Sequence, residues 1–176
     1  MQRNYPLTRH NSFGIQVRAS LFSAPENLDQ LVSLTESYNF HQLSFLVLGE
    51  GSNLLFTKDF EGLVIHPALK GIEIELENSE EVWVRVGASV NWDAWVVHSI
   101  QQGWYGLENL SLIPGSVGSS PIQNIGAYGV EMKDKLAWLD AWDLVECKMI
   151  RKMPHECEFG YRTSLFKTGS PKRYII

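Results

Sequence analysis

Residues 112–130 read LIPGSVGSSPIQNIGAYGV, and from Asn109 to Val130 the chain carries no charged side chain. An uncharged run of this length invites comparison with a membrane span. Pro114, Pro121 and the glycines at 115, 118, 126 and 129 exclude one, because a spanning helix must satisfy its own backbone in lipid. The stretch reads instead as an irregular loop inside a protein, its N–H groups turned toward a hydrogen-bond acceptor. Glycine permits positive φ and close backbone approach, while Ser116, Ser119, Ser120, Gln123 and Asn124 add neutral donors. Concave arrays of backbone N–H bind anions without any lysine, so a phosphate-bearing cofactor suits the loop. The competing reading is a glycine-rich surface loop with no ligand, although charges usually keep such loops in solution.

The 176 residues suffice for one domain or two small ones, and 44% hydrophobic with 20% charged residues is an ordinary globular balance. A formal net charge of −5 with no basic stripe argues against non-specific nucleic-acid binding. Cys147 and Cys157 are the only cysteines; they have neither metal-ligand spacing nor a disulfide framework, which fits a reducing cytoplasm. The opening MQRNYPLTRHNSFG lacks the apolar core of a signal peptide, and no run qualifies as a membrane helix. A soluble cytoplasmic chain with no nucleic-acid or membrane partner is expected. Its last residues, Arg173 to Ile176, form a strand-like apolar run. A domain seldom stops inside such a strand, so the expectation is a fragment whose second half is cut short.

Outward from the loop, the pattern is α+β. A short strand is expected near Ile15 to Ala19, and Ser23-Ala24-Pro25-Glu26 fits a capping box. It opens a helix with Leu28, Leu31, Val32 and Thr35 on one face, ending near Tyr38. Leu43 to Leu48 has the length of a buried strand, Leu54 to Phe56 resumes an extended pattern, and Leu63 to His66 is a further strand. Strand, helix and strand in this order predict a small βαβ unit over residues 1–68. Residues 69–176 are built differently. Ile72, Ile74 and Leu76 alternate with glutamates, and Val82, Val84 and Val86 supply a partner strand. Asn91 caps a helix with Trp92, Trp95, Val96, Ser99 and Ile100 on one face and Gly103 at its end. Leu136 to Val145 and Lys148 to Arg151 read as a hairpin, and the six tryptophans read mostly as core.

Few residues carry identifiable chemistry. Gly49-Glu50-Gly51-Ser52-Asn53 follows a strand, but it lacks the third glycine and the helix of a dinucleotide fingerprint, and the lysine of a P-loop. Ser52 and Asn53 can donate to a pyrophosphate; a plain strand-to-strand turn explains the same residues. Arg162, between aromatics in residues 158–166 (EFGYRTSLF), suits bidentate capture of a carboxylate or, equally, an interface salt bridge. Glu108 either positions the loop entrance or is a solvated charge. His10, His41, His66, His98 and His155 show no metal-ligand spacing, so no metal is assigned.

Together, GEGSN at 49–53, GLENLSLIPGSVGSSPIQNIGAYG at 106–129 and FGYRTSLFK at 159–167 closely resemble the UDP-N-acetylenolpyruvoylglucosamine reductase family. The resemblance starts near Asn11-Ser12-Phe13-Gly14 and covers nearly the whole chain. It implies an FAD-binding domain of the vanillyl-alcohol-oxidase (PCMH) type with two α+β subdomains, the second incomplete, and a C-terminal substrate domain that this chain lacks. By resemblance, FAD is held by Gly49, Gly51, Ser52, Asn53, Ile113, Pro114, Gly115, Gly118, Ser119, Ser120, Gln123, Ile125 and Gly126. The family's reaction carries hydride from NADPH through FAD to UDP-N-acetylglucosamine enolpyruvate, giving UDP-N-acetylmuramate for peptidoglycan. Arg162 matches its catalytic arginine, with Tyr161 beside it in substrate positioning. The family's serine proton donor and second acidic residue fall beyond Ile176. A monomer is expected. Two other identities stand beside this one: a non-catalytic flavin- or nucleotide-binding module, and another flavin oxidoreductase of the same fold. The last is disfavoured, because no histidine has a setting typical of covalent flavin attachment.

Overall fold

The computed structural model describes residues 1–40, 42–169 and 172–176, so His41 lies outside the described residues. The chain forms two compact units, Met1–Leu69 and Lys70–Ile176. Each unit mixes helix and strand, an α+β architecture.

In the first unit, β1 (Gln2–Pro6) runs antiparallel to β2 (Arg18–Ser23), and α1 (Leu28–Ser37) leads on to β3 (Phe45–Val47). The following strand, β4 (Phe60–Ile65), inserts between β2 and β3 and pairs parallel with both, giving the order β1-β2-β4-β3. A central parallel strand is covered on both faces, and Leu63, Val64 and Ile65 are accordingly all fully buried. Val64 packs with Leu7, Val17, Ala19, Phe22 and Leu48. Three expectations are corrected here. The cap of α1 is Asn27, whose side chain accepts from the Gln30 amide, and not Ser23. Ser23 is still inside β2, where its carbonyl takes the His66 amide. Leu54 to Phe56 does not extend as a strand; Leu55 is 64% exposed. Finally β1, which the sequence did not announce, is nearly all exposed and is held by backbone pairing.

The second unit opens with the hairpin β5 (Ile72–Glu77) and β6 (Val82–Val86). Its register breaks between Ile74 and Leu76, which leaves Glu75 as the extra residue. Ile72 and Ile74 therefore pair with Val86 and Val84, while Leu76 crosses to the face of Trp83 and Arg85. The expected simple alternation fails there, and all of β5 is exposed. Next comes α2 (Trp92–Gln101), capped by Asn91 accepting from the Ala94 amide. Trp92, Trp95, Val96 and Ser99 are buried as expected, whereas Ile100 is exposed. Two short strands, β7 (Gly126–Ala127) and β8 (Val130–Glu131), form a tight hairpin. β9 (Leu139–Asp143) then lies between β10 (Lys148–Lys152) and β11 (Tyr174–Ile175), both antiparallel to it. The face of the terminal strand is thus filled: Ile175 is almost fully buried, and Arg173 clasps the buried Asp143 carboxylate through Nε and Nη2 at 2.7–3.0 Å. Of the tryptophans, Trp83 is exposed and stacks at a tilt on Trp138, with the Arg151 guanidinium over the latter ring.

Candidate functional site

The loop of residues 112–130 is tied to α2 at its entrance. Asp93, in the first turn of that helix, accepts from the Ser111 hydroxyl and the Leu112 amide at 2.7 and 2.6 Å. The Leu112 amide and then the Ser111 hydroxyl hold the Asp93 carboxyl below its ordinary range. Leu112 itself has φ +61 and is 83% exposed. Glu108 positions the approach by accepting from the Gly106 amide at 2.7 Å.

Inside the loop, the amides expected to face a ligand are largely committed to the protein. Val117 and Gly118 donate to the Val90 and Ala88 carbonyls, both at 2.9 Å. Ser119, Ser120, Ile122, Asn124 and Ile125 donate to carbonyls of the loop itself. The hydroxyls of Ser119 and Ser120 donate to the Ser116 and Val117 carbonyls at 2.8 and 2.7 Å. This corrects the picture of an open array of donors: residues 116–120 form a turn of 3-10 helix closed on itself. Gly118 shows why the turn sits where it does, since a Cβ there would stand 2.6 Å from the Ala88 Cβ. Of the expected cofactor residues, Gly115, Ser120 and Ile125 are buried, while Ile113, Gly118, Ser119, Gln123 and Gly126 are half-buried and Pro114 is exposed.

The β7–β8 turn carries Tyr128 and Gly129, both at positive φ, as a two-residue turn matched to strand twist requires. Tyr128 is 88% exposed. A second tight turn follows at Gly160 to Thr163, where the two residues exchange both backbone hydrogen bonds. Its tip is Tyr161 and Arg162, both exposed, with Arg162 at φ +54. The two turns meet through side chains: Ser164 Oγ donates to the Ile122 carbonyl at 2.6 Å, Asn124 Nδ2 to that of Gly160 at 3.2 Å, and Arg162 Nη2 to that of Gly126 at 3.0 Å. Lys167 Nζ caps the Arg162 carbonyl at 2.9 Å. The structure therefore brings Arg162 to Gly126. Sequence reasoning named both but missed Asn124 and Ser164 as the ties between their loops.

Gly49, Gly51, Ser52 and Asn53 belong to the first unit. Gly51 is buried at φ +67 and accepts from the Ser12 amide, and a Cβ on it would lie 2.0 Å from the His10 carbonyl oxygen. Asn11 fixes the facing segment: its buried side chain donates to the Leu7 and Ile15 carbonyls and accepts from the Ile15 amide. Below this turn His10 meets His66 edge-on at 4.9 Å between centroids, and His66 Nδ1 lies 2.9 Å from the Leu48 carbonyl oxygen. Burial, and then the neighbouring His66, lowers the pKa of His10. Among the described residues no group of three or more His, Cys, Asp and Glu side chains is placed to hold a metal ion, and no helix is long and apolar enough to cross a membrane.

The comparisons with known proteins point one way. The family described as FAD binding domain matches residues 19–149. A UDP-N-acetylenolpyruvoylglucosamine reductase of Amoebophilus asiaticus is 45% identical over all of this chain and 52% of its own length. The protein of the same name from Escherichia coli K12 is 44% identical over 98% of this chain and 50% of its own. The crystal structure of the corresponding reductase from Thermus caldophilus aligns with a TM-score of 0.70 and 27% identity, over 93% of this chain and 56% of that one. The chain spans about half the length of the curated relatives it matches.

Proposed function

Because the chain belongs to the FAD binding domain family, we propose that it is the flavin-holding part of an NADPH-dependent reductase that converts UDP-N-acetylglucosamine enolpyruvate to UDP-N-acetylmuramate for peptidoglycan. The observation that carries this reading is the 45% identity, across every residue of the chain, with a reductase named for that substrate. The residues present suit FAD by their lack of charge and of bulk. No carboxylate interrupts residues 109–130, and the half-buried Gly118, Ser119, Gln123 and Gly126 present a neutral surface of small or uncharged groups. Pyrophosphate and flavin ring both need such a surface, the first without like charge and the second without bulk. Gly49, Gly51, Ser52 and Asn53, with Ile113, Pro114, Gly115, Ser120 and Ile125, complete the proposed cofactor contacts. Bound FAD would supply hydride received from NADPH.

The chain's own contribution to the chemistry is Arg162. Its guanidinium is exposed and is aimed by its bond to the Gly126 carbonyl. As hydride adds to the enolpyruvyl double bond, negative charge grows beside the substrate carboxylate. A fixed cation there stabilises the transition state more than the ground state. Tyr161, next to it on the turn, helps seat the substrate. The chain is proposed to act as a monomer in the cytoplasm.

The test is a visible spectrum of the purified chain after FAD is added and the excess removed. A retained flavin band that NADPH bleaches and UDP-N-acetylglucosamine enolpyruvate restores is the expected result for a competent reductase. Retained flavin without recovery favours a binding module alone. A folded chain that retains no flavin refutes the proposal.

A further inference from the structure

We infer that Asn124 is the positioning residue of the Arg162 turn, holding its base so that the guanidinium keeps a fixed place at the Gly126 carbonyl. Asn124 has no exposed surface, yet its side chain is an amide, and a buried amide must be satisfied. Oδ1 accepts from the Lys133 amide at 3.1 Å, and Nδ2 donates to the Gly160 carbonyl at 3.2 Å. A further side-chain hydrogen bond joins it to the Glu131 carboxylate, which, behind the larger effect of Lys133, helps hold that carboxyl below its ordinary range. One buried side chain thus joins three segments: its own loop, the strand end at 131–133 and the turn at 160.

The attachment point matters. The Gly160 carbonyl already closes the turn by accepting from the Thr163 amide, so Asn124 adds a second donor at the same oxygen. Only Tyr161 and Arg162 lie beyond that closure. Two residues after Asn124, the Gly126 carbonyl receives the Arg162 guanidinium. The stem of the turn and its tip are therefore referenced to the same five-residue stretch, 122–126, with Ser164 Oγ on Ile122 as a third tie. No backbone-to-backbone hydrogen bond need join the stretches for this registration, because each tie is a side chain donating to a carbonyl. Asn124 also sits at φ +45, a conformation that asparagine and aspartate tolerate better than other side chains. Geometry and backbone thus favour the same residue. The clamp stands on the structure alone; its catalytic consequence rests on the role proposed above for Arg162.

Two variants isolate the side chain from the backbone. Asn124→Gly removes the amide at a position where glycine carries no φ penalty. Asn124→Asp keeps the shape, the φ tolerance and the acceptor toward Lys133 but, once ionised, loses the donor to Gly160. A carboxyl buried beside Glu131 and a carbonyl has a raised pKa, so acid restores the donor as an O–H. The measurement is amide exchange at Gly160 and Thr163 by NMR on the whole chain, each rate taken relative to wild type at the same pH. Val96→Ala, a core change on α2, serves as the control for general loosening. Asn124→Gly is expected to raise exchange at both amides at least tenfold beyond Val96→Ala. Asn124→Asp is expected to do so at pH 7.5 and to return to within threefold of wild type at pH 5. Equal exchange in the glycine variant and the control, or an aspartate variant insensitive to pH, overturns the assignment. Loss of flavin binding by the wild-type chain would refute the proposed function and leave this result standing.

Discussion

Gly51→Ala and Gly14→Ala differ in one physical respect, which makes them a matched pair. Both glycines lie in the left-handed region, at φ +67 and +62. A Cβ at Gly14 meets nothing within 4 Å, whereas one at Gly51 falls 2.0 Å from the His10 carbonyl oxygen, 2.8 Å from its carbon and 3.0 Å from the Asn11 Cα. Left-handed backbone alone costs an alanine about 1 kcal/mol, which is the whole expectation for Gly14→Ala. Overpacking adds ~1–3 kcal/mol, and the obstacle here is main chain, which cannot rotate away, so Gly51→Ala is expected to lose about 4 kcal/mol. At roughly 2–4 °C per kcal/mol for a chain of this size, the melting midpoint falls about 12 °C for Gly51→Ala and about 3 °C for Gly14→Ala. Urea titration of the three proteins gives the free energies directly, provided the slopes agree. Equal losses at the two positions would refute the steric account and leave only the backbone preference.

Protonation of His10 gives a second prediction. Its pKa is lowered by burial and by His66, so the folded chain binds that proton less readily than the unfolded chain. The contribution is neutral above the unfolded value near 6.5 and turns destabilising as pH falls below it, levelling off beneath the folded value. Replacing His10 by glutamine is expected to flatten the melting midpoint between pH 7 and 5; an unchanged slope would count against the histidine. The cysteines should separate cleanly. Burial pushes the Cys157 thiol up to about 11, while Cys147 is exposed, so iodoacetamide is expected to add one group to the native chain, at Cys147. Two additions without unfolding would contradict this. In a parent chain extended to the length of the relatives, Arg162→Ala is expected to keep flavin retention within about twofold while removing substrate-dependent recovery of the flavin band, a loss of order 10²–10³ in rate for one charge-stabilising group. A variant that merely lost its flavin and recovered on adding more would contradict the role.

Much of the fold was legible where side-chain pattern and hydrogen bonding agree. Asn91, the tryptophan and valine spacing behind it and the Gly103 stop located α2, and apolar runs on either side of a polar turn located β9 and β10. β1 was not legible because QRNYP has no apolar alternation; main-chain pairing with β2 holds it, with Tyr5 stacked on Phe22 and Arg18 bonded to the Asn4 side chain. Ser23 misled because serine, proline and glutamate have the chemistry of a cap, while the sheet claims the Ser23 carbonyl first. The bulge at Glu75 left no mark in a run of alternating isoleucine and glutamate. In the candidate site, the absence of charge was plain to read. The destination of its amides was not, since the Val90 and Ala88 carbonyls stand far back in the chain. Asn124 looked like one more neutral donor; only the fold reveals that it faces inward.

That inward commitment of amides in residues 116–125 has a thermodynamic consequence. A loop that already closes its own hydrogen bonds and rests against residues 88–92 does not have to fold when a ligand arrives. Association with it should therefore lack the signature of coupled folding, a large negative heat-capacity change accompanied by a heavy loss of chain entropy. Titration calorimetry with FAD would then register the burial of the ligand's own surface, and affinity would vary gently with temperature.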